Sequence, residues 1–341
     1  MSLSLLENGY MASLSSDFTV KIWDIINNKL KFTLEDGRYT TRMASLQDGY
    51  MATSSSDNVR YDGMGLVRIW DITSGRLKFT FNASNGGYDR VESMISLGNG
   101  YLATGTNYGN LMIWDIENGQ LRHIINRYNG TSSDSIYMLS LIGQDYFASF
   151  YSNFFGIKCV FDIWDLNNYQ FKYRFSSCSV TKLVSIDEKY FATGDNGGLV
   201  IIWNMQSGEN EKFNEHNRIR IVDMILLDNN LLASGSYDGK IVVWDINAKR
   251  MKYAFDNSND GHTRTVNALV SLGNNYMASG SADSTIKIWK IKDKGELKYT
   301  IDKSNCGHNK DVKSLLILEN GNLASSSSDK SIKIWELKNL N

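Results

Sequence analysis

The sequence predicts an all-β repeat protein, an array of four-stranded antiparallel sheets of the propeller kind, on three observations. All eight tryptophans, Trp23, Trp70, Trp114, Trp164, Trp203, Trp244, Trp289 and Trp335, close one recurring phrase: "SSDFTVKIWD" at 15–24, "SADSTIKIWK" at 281–290, "SSDKSIKIWE" at 327–336. Their successive spacings are 47, 44, 50, 39, 41, 45 and 46 residues, a period in the forties that fits four short strands per blade. Between the tryptophans, short alternating runs are separated by turn residues, and no 3.6-residue apolar period competes.

One repeat justifies each element in order. "TVNALVSL" (265–272) is apolar with small residues, as a crowded inner strand requires. Asn274 and Asn275 make the first turn, as do Asn8-Gly9, Asp48-Gly49, Asn99-Gly100 and Asn320-Gly321 elsewhere, because Gly and Asn tolerate positive φ. "YMASGS" (276–281) is the second strand, "ADS" (282–284) a tight turn and "TIKIW" (285–289) the third strand. "ELKYTI" (296–301) is the fourth. It recurs as "LKFTL", "LKFTF", "LRHII", "FKYRF" and "MKYAF", with a poorer match at "EKF" (211–213). Its second place holds Lys31, Lys78, Arg122, Lys172, Lys212, Lys252 and Lys298, charges that discourage edge-to-edge pairing at the outer rim of each blade. His123 falls in one of these outer strands and reads as a strand residue.

Five of the eight phrases end in Trp-Asp (23–24, 70–71, 114–115, 164–165 and 244–245); the others end at Asn204, Lys290 and Glu336. In this the whole chain resembles the WD40-repeat family of β-propellers. The resemblance implies a buried hydrogen-bonded set of Asp, His, Ser or Thr and Trp in each regular blade. Three sets match: His216/Ser234/Asp238/Trp244, His262/Ser279/Asp283/Trp289 and His308/Ser325/Asp329/Trp335. His216 lies two residues further from its inner strand than His262 does. Ser, His and Asp are also the ingredients of a hydrolase triad, but a nucleophile is needed once, not three times at one period. The sets thin out toward the N-terminus. Repeat 1 keeps Ser13, Asp17 and Trp23; repeat 3 has Gly87 and Tyr108 in the His and Asp places; Asn153 and Gly197 stand in the Asp places of repeats 4 and 5.

The chain opens inside an inner strand and ends just after a third strand, which gives eight inner triplets and seven outer strands. The expectation is one domain over 1–341, an eight-bladed WD40-type propeller whose last blade lacks its outer strand. The alternative is seven blades with a leftover N-terminal segment, which would leave three good strands unpaired. A start inside a strand also reads as a region of a larger chain.

Composition bounds the function. Hydrophobic residues are 42% and charged residues 21%, and the net charge is −1, so no overall field draws the chain to nucleic acid or an anionic membrane. No apolar run approaches the ~18 residues of a membrane helix. Cys159, Cys178 and Cys306 have no metal spacing and read as reduced thiols of an intracellular, cytoplasmic protein. No cofactor or metal motif is present, and the glycine-rich "GDNGG" (194–198) reads as a turn. The expectation is a non-enzymatic scaffold for peptide or protein partners, monomeric or part of a hetero-complex. The resemblance supports it, since WD40 propellers mostly act as platforms. An alternative is a module for acidic or phosphorylated peptides within a larger regulatory assembly, such as a ubiquitin ligase or a signalling complex. An enzyme or a nucleic-acid binder is disfavoured.

Departures from the repeat point to a surface. Asp57 to Trp70 is 13 residues and Asn153 to Trp164 is 11, against 6 from Asp283 to Trp289, so repeats 2 and 4 carry insertions between their second and third strands. With Tyr88, Arg90 and Tyr108 of repeat 3, these insertions predict a partner site of Arg60, Tyr61, Tyr88, Arg90, Tyr108, Phe154 and Phe155 on the narrow face. Aromatics and Arg are enriched at interaction hot spots. The rival is a basic patch of Arg218, Arg220, Arg264 and Lys310 beside the His-bearing loops of blades 6–8.

Overall fold

The computed structural model describes residues 2–34, 40–56, 65–83, 89–126, 134–152, 159–177, 179–228, 230–292 and 294–337. Every sheet is an antiparallel meander of consecutive strands. Seven sheets have four strands and the eighth has three, so the chain is an eight-bladed β-propeller whose last blade has no fourth strand among the described residues. No α-helix occurs among them, only a 3-10 turn at Lys303–Asn305. No helix is long and apolar enough to cross a membrane.

The chain divides into two compact units. Ser4–Cys178 holds blades 1–4. Blade 1 is Ser2–Leu5, Tyr10–Leu14, Val20–Asp24 and Lys29–Leu34; blade 2 is Thr40–Ser45, Tyr50–Ser56, Gly65–Asp71 and Arg76–Asn82. Blade 3 is Val91–Gly98, Tyr101–Thr106, Asn110–Asp115 and Gln120–Asn126; blade 4 is Ser135–Ile142, Tyr146–Ser152, Cys159–Asp165 and Phe171–Ser176. The core lies between neighbouring sheets. Ile22 and Leu34 of blade 1 pack with Met51 and Trp70 of blade 2, and Val67, Ile69 and Phe81 of blade 2 pack with Leu102, Met112 and Trp114 of blade 3.

The second unit is Ser179–Asn341 with Met1–Leu3. Blade 5 is Val180–Ser185, Tyr190–Asp195, Val200–Asn204 and Asn210–Phe213; blade 6 is Ile221–Leu227, Leu231–Ser236, Ile241–Asp245 and Arg250–Phe255. Blade 7 is Val266–Gly273, Tyr276–Ser281, Ile286–Lys290 and Glu296–Ile301; blade 8 is Val312–Ile317, Leu323–Ser327 and Ile332–Trp335. Gly235 and Gly280 sit where the next blade's inner strand arrives. A Cβ there would lie 2.7 Å from Val266 Cγ1 and 2.6 Å from Val312 Cγ1, so no side chain fits. Phe255 of blade 6 stacks on Trp289 of blade 7 with ring centroids 4.2 Å apart.

In blades 1–4, 6 and 7 the indole side of the third strand is fixed by one register rule, whereas blade 5 pairs Trp203 with Asn210 without a bulge. Trp289 pairs with Leu297 after a bulge, as Trp244 does with Met251 and Trp70 with Leu77. The bulge strengthens the local twist at the indole. Six indoles are buried; Trp23 and Trp335 are half-buried. In blade 7, Ile286, Ile288 and Trp289 are buried, whereas in blade 8 Ile332 and Trp335 are half-buried and Ile334 is 38% exposed, because no fourth strand among the described residues covers them.

Candidate partner-binding surface

Each described blade starts from one hydrogen bond. The third-strand indole N–H donates to a second-strand hydroxyl: Trp23 to Ser13, Trp70 to Thr53, Trp114 to Thr104, Trp164 to Ser149 and Trp203 to Thr193, each at 2.8 Å. Trp244 to Ser234, Trp289 to Ser279 and Trp335 to Ser325 follow at 2.8, 2.7 and 2.9 Å. A buried indole N–H needs such a partner, and the hairpin supplies one at an offset of ten residues in six blades and of 17 and 15 in the blades with insertions, 2 and 4.

In blades 7 and 8 the bond extends into a chain reaching the loop before the inner strand. His262 meets Ser279 Oγ through Nε2 at 2.7 Å and Asp283 Oδ2 through Nδ1 at 2.8 Å. His308 meets Ser325 at 2.8 Å and Asp329 at 2.9 Å. Each carboxylate also accepts from its own turn, Asp283 from the Thr285 amide and hydroxyl and Asp329 from those of Ser331. Burial pushes the carboxyl pKa of Asp283 and Asp329 up, but the donated hydrogen bonds outweigh it and hold both well below the carboxylate range. Burial pushes the two imidazoles down, against the pull of the acids. Lys287 and Lys333 lock the same loops from the third strand. Lys287 Nζ donates to the Asp260 and Gly261 carbonyls, and Lys333 Nζ to those of Cys306 and Gly307.

Blade 6 differs. His216 bonds to Ser234 at 2.7 Å, but its Nδ1 has no partner among the described residues. Asp238 instead accepts from Ser236 Oγ at 2.6 Å and from the Lys240 amide at 3.2 Å. The approach of His216 is longer than that of His262 by one residue, not two, five residues to Ile221 against four to Val266, and its ring reaches the serine but not the turn. Burial, with Lys240 nearby, pushes the His216 pKa down to about 4.

Blades 3 and 4 carry substitutes that the repeat pattern does not reveal. Asp89, 3% exposed, enters from the loop rather than the turn and accepts from the Tyr108 amide and from Asn110 Nδ2. Burial pushes its carboxyl up, opposed by hydrogen bonds from Thr106 and Asn110. In blade 4 the Ser149 hydroxyl meets the buried Tyr151 hydroxyl at 3.0 Å, so a phenol occupies the imidazole's role. Asp162, fully buried in the third strand, accepts from Arg174 Nε at 2.8 Å and Nη2 at 3.2 Å.

Of the first expected partner surface, Arg60, Tyr61, Tyr88, Phe154 and Phe155 lie outside the described residues. Arg90 is exposed and pairs through Nε with Glu92 at 2.8 Å, and Tyr108 is 54% exposed. The rival patch is described in full. Arg218, Arg220, Arg264 and Lys310 are all exposed, with the backbone carbonyls of Arg220, Arg264 and Lys310 held by Tyr237, Ser281 and Ser327. Arg264 lines an open cleft of about 500 Å³ at this end of blades 6–8, together with Tyr237, Asp238, Thr263, Asp311 and Lys313. Arg218, Arg220 and Lys310 are not among its lining residues. Lys313 was missed because it lies inside an inner strand, where charge is not expected; it pairs with Asp311 at 2.8 Å. Tyr237 stands 64% exposed at the rim. Among the described residues no group of three or more His, Cys, Asp or Glu side chains could hold a metal ion.

The family model of the WD domain, G-beta repeat, matches residues 209–245, 255–290 and 296–336. No curated protein matches the chain. Among solved structures the chain is similar to the crystal structure of the computationally designed Ika8 protein, at 21% identity and a TM-score of 0.75 over 98% of this chain and 95% of that one. At that identity the likeness speaks for the fold alone. The matched repeats make residues 209–336 WD40 repeats, and the recurring indole–hydroxyl bond and the eight meander sheets support a WD40-repeat propeller for the chain, a family that generally scaffolds protein interactions.

Proposed function

We propose that this chain is a single-domain, non-enzymatic interaction scaffold that binds an acidic or phosphorylated segment of a protein partner in the cleft at the His-bearing end of blades 6–8. The observation that carries this reading is the cleft itself: Arg264 and Lys313 beside an exposed Tyr237, with the adjoining loops of blades 7 and 8 braced by the closed chains of His262 and His308. Arg and Lys supply charge-assisted hydrogen bonds to carboxylate or phosphate, and Tyr supplies area at little entropic cost. Asp238 and Asp311 on the same walls favour a ligand with cationic or amide groups flanking its anion. The imidazoles argue against catalysis, because each is sealed under its loop and its serine accepts an indole N–H.

Partner capture from lysate with the natural chain, an Arg264→Ala/Lys313→Ala variant and a Tyr108→Ala variant tests the site. Captured proteins are then competed with a doubly phosphorylated peptide. Loss with the first variant alone supports the cleft. Loss with Tyr108→Ala alone moves the site to the insertions of blades 2–4.

A further inference from the structure

The two ends of a blade are distinct: first turns and third-to-fourth-strand turns share the end away from the His-bearing loops. At that end a packing rule joins neighbouring blades. The third-to-fourth turn presents a left-handed residue whose N–H returns to the carbonyl of the Asp or Asn after the Trp, as Gly75 does to Asp71, Gly119 to Asp115 and Gly208 to Asn204. The preceding blade's outer-strand aromatic lies over Gly75 and Gly119, as Tyr253 does over Gly295 of blade 7, whereas Gly208 has no neighbour there. A Cβ on Gly75 would sit 2.8 Å from Phe32, and one on Gly119 2.5 Å from Phe79.

Blades 1 and 6 have Asn28 and Lys249 at the left-handed place, and blade 4 puts an aromatic there. Tyr169 takes the glycine's place, with its N–H on the Asp165 carbonyl at 2.9 Å and φ at 57°, a conformation disfavoured for a bulky side chain. In blade 3 the covering aromatic is replaced by His123, whose ring lies 5.1 Å from that of Tyr169. Tyr101 meets Tyr169 edge-on at 6.1 Å. The exchange opens a groove of about 300 Å³, walled by Tyr101, Arg122, His123, Gln144, Asn168 and Tyr169. This volume is at the small end of ligand sites. Arg122, His123 and Gln144 are exposed, and none makes a side-chain hydrogen bond or ion pair with a described residue. Asn168 spends only its Oδ1, on the Gln170 amide.

We infer that this groove is a second binding site, separate from the cleft of blades 6–8, for an extended acidic peptide segment. The Arg122 guanidinium takes the carboxylate, His123 adds a donor, and the Gln144 and Asn168 amides meet the peptide backbone over a floor of Tyr101 and Tyr169. Strain of the kind at Tyr169 persists where the surroundings hold it, and it gathers at ligand clamps. Asp115, held low first by hydrogen bonds from Asn118 and only last by Arg122, leaves the guanidinium charge largely available.

The test is an array of capped pentapeptides with a central Asp or Glu, and the same array with Asn or Gln, probed with the whole chain. Proton spectra of the His123 and Tyr169 rings follow titration of the best peptide. Acidic spots should retain the chain at least about tenfold better than their amide counterparts, the size expected for one charge-assisted bond. Arg122→Ala should remove that difference while Arg264→Ala/Lys313→Ala leaves it. A His123→Phe/Tyr169→Gly variant, which restores the packing rule and should melt no lower than the natural chain, should lose it too. Equal retention of acid and amide spots, unmoved His123 and Tyr169 signals, or full binding by the His123→Phe/Tyr169→Gly variant would overturn the proposal.

Discussion

Removing the Asp283 carboxylate tests whether the closed chains of blades 7 and 8 stabilise them. Asp283 accepts from His262 Nδ1, from the Thr263 and Thr285 amides and from the Thr285 hydroxyl. In Asp283→Ala the Thr263 amide, which belongs to an exposed residue, turns to water at little cost. His262 cannot, because it is fully buried. One buried donor without a partner costs about 1–3 kcal/mol. Thr285 Oγ1 already lies 3.1 Å from His262 Nδ1 and can rotate to accept, so Asp283→Ala should fall in the lower half of that range and Asp283→Ala/Thr285→Ala above it. Blade 6 is the internal control: Asp238 is exposed and makes no bond to His216, so Asp238→Ala should cost within about 0.5 kcal/mol, as surface changes do. Urea midpoints at unchanged m give the comparison, and amide exchange in the second and third strands of each blade localises it, since repeat arrays open blade by blade. Equal losses for Asp283→Ala and Asp238→Ala would refute the reasoning.

Two further outcomes follow from blades 6 and 8. The folded-state pKa of His216 is depressed from 6.5 to about 4, so its contribution is fully present above about pH 6.5 and is lost as pH falls toward 4, by up to about 1.4 kcal/mol per pH unit. Urea midpoints measured across that window should fall less steeply in His216→Gln, and an unchanged slope would show that another group carries the acid sensitivity. The third strand of blade 8 is an uncovered edge among the described residues, with Ile334 exposed, so Ile334→Lys should reduce self-association seen by sedimentation, and equal association would place the contact elsewhere.

Much of the fold was legible because it repeats. The strands read at 276–281 and 296–301 are those observed, since period-2 patterning and Asn or Gly turns act locally. The eight-bladed expectation matches the eight sheets, and the last blade has three strands among the described residues. The cost of stranding three well-patterned strands decided that choice correctly. The outer lysines are more than guards. Lys31 Nζ lies 3.6 Å from the centre of the Tyr10 ring and Lys78 Nζ 3.9 Å from that of Tyr50, cation–π contacts that span from the fourth strand to the second in one sheet.

What a column-by-column reading cannot see is a role that changes column. Asp89 supplies a carboxylate from the loop when Tyr108 stands in the turn, and Tyr151 supplies a hydroxyl to Ser149 where the other blades use imidazole. Conversely, Asp238 fills its column but leaves His216 Nδ1 unpartnered, where the loop is longer by one residue. The same limit hid Tyr169 and His123. Each alone is an ordinary outer-strand or turn residue, and only the contact between neighbouring blades shows that a ring has entered the place a glycine holds in blades 2 and 3. The physical demand is conserved in space, as a partner for a buried donor or a ring over a turn, while the residue that meets it is free to move along the chain. Irregular blades are therefore where sequence reading loses the structural residues, and where side chains released from the common packing become available for binding.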